Sequence, residues 1–403
     1  MEAPAMTGES TETPELTIER MVPGGWGIAH GGGKTYLVRG GIPGERVRVA
    51  VTGERGRALQ AEVEEVLEAS PDRIVPPCPV ANVCGGCDLQ HLTYEAQLRV
   101  KREMVVDAFH RIGRITLGDD FEIIPSPKPF SYRLRASWRL DPMTGDFGYL
   151  AFESRTVVDV EHCPILEPLL DETLRATREG IRSGLTAAIE YEAAAGDDRA
   201  HAFDGMGEPL PLYRTVGAYT YRFDALTFFQ ANGSLLEGMV DEALWLARQL
   251  NDTARSGLAL DLFAGVGLFS LPLSELFGTV QAVESDARAV KHAKRNARSN
   301  QRANVTINAL ETARYFKDQR KAARRASFVL VDPPRAGLDT ETRTGVIEAG
   351  IPAFTYVSCD PTTLARDLKV FLAEGYEIER VRGIDLFPQT HHIEVIVHLR
   401  RSR

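Results

Sequence analysis

Cys78, Cys84 and Cys87 fall within ten residues of one another in PPCPVANVCGGCDLQ, a Cys-x5-Cys-x2-Cys spacing that suits a metal-binding loop. Gly85 and Gly86 would let the backbone wrap closely around an ion or cluster. A fourth ligand is available at Cys163, followed by Pro164 in VVDVEHCPI. Four thiolates suit either a tetrahedral zinc ion or a [4Fe–4S] cluster, and spacing alone leaves both open. The fifth cysteine, Cys359, stands apart at the end of the hydrophobic run FTYVSC. A lone cysteine at a strand end is most often a small core residue. Here, however, Asp360-Pro361 makes a turn that lifts the thiol out of the sheet. The capped helix TTLARDL then follows, and its N-terminal dipole would favour a thiolate.

Other polar residues also close strand-like runs. In ALDLFAGVGLFS, Asp261 precedes Gly265 and Gly267, which allow a tight turn and close approach of a ligand to the backbone. Ser270 stands where a dinucleotide fingerprint wants Gly or Ala, which weakens a nicotinamide reading. Nineteen residues beyond Gly265, Glu284 ends a second strand, where a carboxylate can accept bonds from both ribose hydroxyls. A further strand delivers Asp332-Pro333-Pro334-Arg335, whose prolines stiffen the loop and remove donors. Glu394 in HHIEVIVHLR is a candidate base, or else a solvated edge-strand acid. A metal site at His391, His392 and Glu394 is disfavoured, because adjacent histidines on a strand point to opposite faces.

From about Leu226 onward the sequence alternates strand, turn and helix, which implies a parallel sheet covered on both faces with ligands at its carboxyl edge. Residues 16–69 alternate apolar and polar positions between glycine-rich turns, as a small β-barrel would, with Trp26 and Tyr36 expected on its surface. The Thr/Pro/Glu-rich residues 1–15 are expected to be a disordered acidic tail. Between barrel and sheet, residues 70–225 form a central α+β domain: a helix in LTYEAQLRVKREMVVDAFHRIGRI, a strand in PFSYRLRASWRL, helices across 164–195 and strands across 197–228. Residues 226–403 form the last domain. A group tying positions 78–87 to 163 would staple the central domain by closing a long loop.

The segments FFQANG, LDLFAGVGLF, AVESD, LVDPPRAGL, YVSCDPTTLARDL and LFPQTHHIEVIVHL together resemble the RNA uracil-5-methyltransferase family. With the amino-terminal segment, similar to a TRAM domain, and the four cysteines, the chain looks like the branch that carries an iron–sulfur cluster and modifies ribosomal RNA. The likeness covers nearly the whole chain and is weakest from about 164 to 210. It implies a class I Rossmann-like fold, an OB-like barrel in front and S-adenosylmethionine as methyl donor. It also implies Cys359 as nucleophile and Glu394 as proton acceptor, with Gln230, Phe263, Gly265, Gly267, Glu284 and Asp332 around the cofactor. The chemistry is coherent, since carbon 5 of uracil cannot attack a sulfonium until a thiolate adds to carbon 6. Transfer RNA or a cytosine target are the alternatives, as is a non-catalytic iron–sulfur RNA-binding protein.

The net charge of −9 argues on average against a nucleic-acid partner, but the average hides its distribution. Residues 286–325 carry twelve Lys or Arg against three acids, and Arg99, Lys101, Arg102, Arg111 and Arg114 make a second basic run. Both could equally be solvated helix faces. Arg133, Arg135 and Arg139 beside Trp138 read either as an RNA surface or as a charged outer face. No apolar stretch reaches the roughly 18 residues a bilayer requires, and no basic-then-apolar leader is present. The expectation is a cytoplasmic enzyme with reduced cysteines, no membrane contact and no obligate protein partner.

Overall fold

The computed structural model describes residues 13–186 and 188–402, so most of the expected acidic tail lies outside the described residues. Ordered structure begins earlier than anticipated, because Glu15–Thr17 pairs antiparallel with Arg46–Arg48. That strand opens a six-stranded sheet that continues through Arg46–Arg55, Ala58–Glu68, Lys34–Arg39, Trp26–Gly31 and Arg20–Val22. Its alternating positions bury Leu16, Ala29, Val38, Val47, Val49 and Ala61. Trp26 and Tyr36 are not the exposed aromatics expected, at 4% and 7% exposure. Trp26 packs edge-on against Phe152 of the middle segment.

Buried Glu45 fastens this sheet to the segment beginning at Ser70, with Arg73 donating from Nε at 2.5 Å and the Ser70 amide at 3.3 Å. The cysteine-bearing stretch is irregular. Thr93 then caps a helix, Tyr94–Ala108, accepting from the Ala96 amide, and a wider turn, Phe109–Gly113, ends it at left-handed Arg114. A five-stranded antiparallel sheet comes next, in the order Val157–Asp159, Phe147–Leu150, Arg135–Leu140, Glu190–Ala195, Ala200–Phe203. The helix expected across 164–195 stops at Arg182, and EYEAAA is a strand. Ala193, Ala194 and Ala195 are buried there, so tertiary packing overrides the helical preference of alanine.

The last sheet has eight strands in the order Val305–Ala309, Thr279–Glu284, Leu258–Leu262, Ala326–Val331, Ala353–Ser358, Glu394–Arg401, Tyr376–Ile384, Glu122–Ile124. The first five run parallel, as the strand-turn-helix alternation implies, and Glu394–Arg401 inserts antiparallel beside them. The end strand, Glu122–Ile124, comes from the middle of the chain. The boundary expected at 225 also does not divide the core. Trp138 and Tyr191 belong to the same apolar cluster as Phe223, Met239, Leu246, Phe328 and Val357.

Candidate active site

Strand register brings the predicted polar residues to one sheet edge. Leu262 pairs with Val283 and Val331, which sets Phe263 and Asp332 just past the ends of their strands and Glu284 at the end of its own, on three adjacent strands. Ser358 pairs with Val395 in the antiparallel ladder, so Cys359 comes next to Glu394 across it. At about 4.8 Å per strand, Glu284 and Cys359 are about 14 Å apart along the edge.

The glycine turn is built for close approach. Phe263 adopts φ 62°, Gly265 φ 54° and Gly267 φ 90°, so this loop runs in the left-handed region that glycine enters freely. The Gly265 amide donates to Glu284 Oε2 at 2.8 Å and the Asp286 amide to Oε1 at 2.7 Å, which fixes the carboxylate at the loop mouth. Tyr221 and Asn296 brace the outer side by donating to the carbonyls of Leu268 and Val266 at 2.9 Å each. Ser270, anomalous for a dinucleotide loop, donates its buried hydroxyl to Asp261. Burial pushes Asp261 up to about 7, Ser270 opposes this, and Glu284 adds to it. Gln230 does not cap a helix; Asn232 does that. Gln230 instead donates to Asp332 Oδ2 at 3.1 Å, closing a strap over the sheet edge. Asp332 is also raised to about 7, by burial first and then by Asp261.

Cys359 lines a cleft with Arg335, Asp360, His391 and His392, walled by Pro23 from the first sheet and by Met104 and Ala108 from the long helix. Asp360 caps the helix Pro361–Ala373, accepting from the Thr362 and Thr363 amides. The helix dipole does not lower this thiol as expected. Burial, then Glu394, push Cys359 up to about 12, while Arg335 pulls the other way. Glu394 is 3% exposed, its Oε1 has no hydrogen-bond partner, and burial followed by Asp332 raises it far above the usual carboxylate range. Burial therefore makes these carboxyls hold their protons more tightly than they would in water.

His391 and His392 lie in a turn before the strand and not on it, with ring centroids 4.0 Å apart. His391 Nδ1 meets Asp88, and His392 Nε2 faces the Arg335 guanidinium at 3.1 Å. Burial, then His391 and Arg335, pull His392 down to about 2, so it is neutral. The turn from Asp385 to His392 is pinned from behind by residues that no motif announced. Lys101 reaches Asp385 and the Phe387 carbonyl, Tyr132 donates to the Pro388 carbonyl at 2.9 Å, and Gln97 bonds both the side chain and the amide of Gln389. Gln389, at φ 68°, accepts from the amides of Asp88 and Leu89, directly after Cys87.

Cys78, Cys84, Cys87 and Cys163 do come together around one cavity, with Arg133 and Gln90 also in its wall. Burial raises Cys87 to about 12 and Cys163 to about 11. Among the described residues, no group of three or more His, Cys, Asp or Glu side chains converges as single-ion ligands would. Arg133 and Arg135 are not an RNA-facing row: Arg133 donates to the Arg135 carbonyl at 2.9 Å, and Arg135 to the Ala225 carbonyl at 2.9 Å.

A parallel sheet crossed by one antiparallel strand, with a glycine loop and an acid at the next strand end, defines a class I methyltransferase fold. The match to the Pyrococcus abyssi tRNA (uracil-54, C5)-methyltransferase, solved with S-adenosyl-L-homocysteine, agrees: TM-score 0.71, 21% identity, covering 96% of this chain and 100% of that one. Residues 214–402 match the tRNA (Uracil-5-)-methyltransferase family model. The 23S rRNA (uracil(1939)-C(5))-methyltransferase RlmD of Halomonas elongata is 35% identical, over 96% of this chain and 89% of its own length. An uncharacterized RNA methyltransferase of Aquifex aeolicus is 33% identical over 96% and 98%. The chain belongs to the RNA uracil-5-methyltransferase family.

Proposed function

We propose that this protein methylates carbon 5 of a uridine in RNA, with 23S ribosomal RNA as substrate and S-adenosylmethionine as donor. The reading is carried by the register that sets Cys359 beside Glu394, a buried carboxyl with an unpartnered oxygen. Gln230, Phe263, Gly265, Gly267, Glu284 and Asp332 would cradle the donor, with Glu284 on the ribose. When bound, the donor supplies the methyl group and a sulfonium charge. Arg335 adds positive potential that favours an ionised Cys359.

The target base leaves its stack, at a cost of a few kcal/mol, to enter the cleft. The Cys359 thiol gives up its proton to water, its sulfur bonds to carbon 6, and the electrons of the 5,6 double bond move to make carbon 5 the nucleophile. Once carbon 5 holds the methyl group, ionised Glu394 takes the carbon-5 proton. The electrons of that bond re-form the 5,6 double bond as the sulfur leaves. Burial and Asp332 give Glu394 the high proton affinity that this step uses.

Residues 16–69 read as an RNA-binding TRAM domain, 70–225 as the cysteine-bearing domain and 226–403 as the catalytic domain. Cys78, Cys84, Cys87 and Cys163 would hold a [4Fe–4S] cluster. Four thiols lining one cavity are the donor set such a cluster takes. Its role is structural: Asp88 and Leu89, directly after Cys87, hold Gln389 in the active-site turn. No helix among the described residues is long and apolar enough to cross a membrane, and the enzyme is assigned to the cytoplasm with its RNA.

The test is RNA containing 5-fluorouridine. A covalent complex mapped to Cys359 by peptide mass spectrometry, absent in Cys359→Ala, is expected alongside 5-methyluridine in unmodified transcripts. Turnover without any such adduct would overturn the mechanism. Preference for tRNA over 23S transcripts in competition would overturn the substrate assignment alone.

A further inference from the structure

The basic run at 286–325 is not absorbed by the chemistry above. Its first part is the helix Ala287–Ser299, capped by Asp286 and starting at the sheet edge just beyond Glu284. Ala289, Val290, Ala293 and Ala297 of this helix are buried, while Lys291, Lys294, Arg295 and Arg298 are exposed. None of these four has a salt-bridge partner among the described residues, whereas Arg288 is used by Asp224 at 3.0 Å and Glu208 at 3.4 Å. Lys291 and Arg295 line a surface groove whose opposite wall is the Glu208–Pro211 stretch.

Asp224 forms part of the groove floor, held by His292 Nε2 at 2.9 Å. From Asp224 the chain crosses to Gln230, which is bonded to Asp332 at the reacting edge. On this strap Phe229 stacks on Phe223 at 4.6 Å and is 2% exposed, but Phe228 is 66% exposed. The core thus has its aromatic ring, and Phe228 stands exposed on the strap that joins Asp224 of the groove to Gln230.

We propose that this groove is the track for the single-stranded RNA that flanks the target uridine, with Lys291 and Arg295 on its phosphates and Phe228 stacking a neighbouring base. The inference rests on the RNA-methyltransferase reading and adds the surface that holds the substrate strand. The helix begins beside the Thr279–Glu284 strand, three strands from Cys359, so about 14 Å separate them along the edge. Alternating phosphate contacts and base stacking is how proteins hold unpaired strands.

The experiment compares full-length wild type with Lys291→Gln/Arg295→Gln, with Phe228→Ala and with Phe228→Trp, using an unmodified 23S transcript. Each phosphate contact on a single strand contributes a salt slope of about 0.7. The double variant should therefore bind RNA roughly 25-fold more weakly at 0.1 M salt, with a slope shallower by about 1.4. Phe228→Ala should raise the RNA KM about tenfold, and Phe228→Trp should restore it. Lys321→Gln/Arg324→Gln, in the same basic run but outside the groove, is the control and should match wild type. If the double variant keeps wild-type affinity and slope while wild type methylates the transcript, the groove assignment is wrong and the enzyme reading stands. A control as weakened as the double variant overturns it as well, since binding would then be diffuse. Weakened affinity for S-adenosylmethionine in place of RNA would assign the groove to the cofactor and also overturn it. Failure of wild type to methylate any RNA overturns both readings.

Discussion

Lys101→Met removes the pin behind the active-site turn. Lys101 and Asp385 are both fully buried, with Nζ at 2.5 Å from Oδ1 and at 2.9 Å from the Phe387 carbonyl. Asp385 then keeps only Tyr94, whose hydroxyl donates to Oδ2 at 2.9 Å and accepts from the Ser126 amide. An uncompensated buried carboxylate costs about 3–5 kcal/mol, a large part of the roughly 5–15 kcal/mol that holds a typical domain folded. Urea unfolding of the variant beside wild type measures that cost directly. Lys101→Met/Asp385→Asn, which keeps an acceptor for Tyr94 without the charge, should recover all but about 1–2 kcal/mol. Methylation should fall in the single variant, because the freed Phe387 carbonyl loosens the turn leading to His392 and Glu394. The reasoning fails if Lys101→Met costs under about 1 kcal/mol, or if the double variant is no more stable than the single.

The site yields three more expected outcomes. Alkylation of Cys359, followed by peptide mass spectrometry, should accelerate about tenfold per pH unit from pH 7 to 10 without a plateau, and Glu394→Gln should move that curve to lower pH; a plateau near pH 8 would contradict the buried, acid-lined setting. Asp261, raised to about 7, binds more protons folded than unfolded, so it costs stability progressively as pH rises from about 4 to 7. Asp261→Asn, which still accepts from Ser270, should gain stability over wild type at pH 8 and little at pH 4 in thermal melts. Anaerobically purified protein should be brown, with broad absorption near 400 nm, and Cys163→Ser should lose iron and colour together; a colourless wild type containing one zinc would refute the cluster.

The sheet edge was the most legible part of the chain. Strand ends marked by Gly265, Glu284, Asp332 and Cys359 are read from local alternation, and parallel topology lines them up whatever the loops do. What local pattern missed depends on contacts distant in sequence. EYEAAA becomes a strand only because Arg135–Arg139 lies open beside it. Trp26 is buried by Phe152 from another element, and Arg135 is occupied by carbonyls near residue 225. The expected low thiol pKa failed for a related reason. A helix dipole is visible in sequence, but Glu394 and Asp332 converge on Cys359 only through folding. The clamp of Lys101, Gln97 and Tyr132 on residues 385–389 gave no local signal, since its partners are more than 250 positions apart.

The short strand Glu122–Ile124 lies parallel to Arg382–Ile384 and completes the sheet on the side of Cys359 and Glu394. The carboxy-terminal half of the polypeptide is thus finished by a segment laid down nearly a hundred residues before that half begins. Release of residues 214–402 as a fragment would bare the backbone edge of Arg382–Ile384, an invitation to intermolecular strand pairing. The middle and carboxy-terminal parts of this chain are therefore woven into one another, and shuffling them between relatives as separate modules would tear the weave.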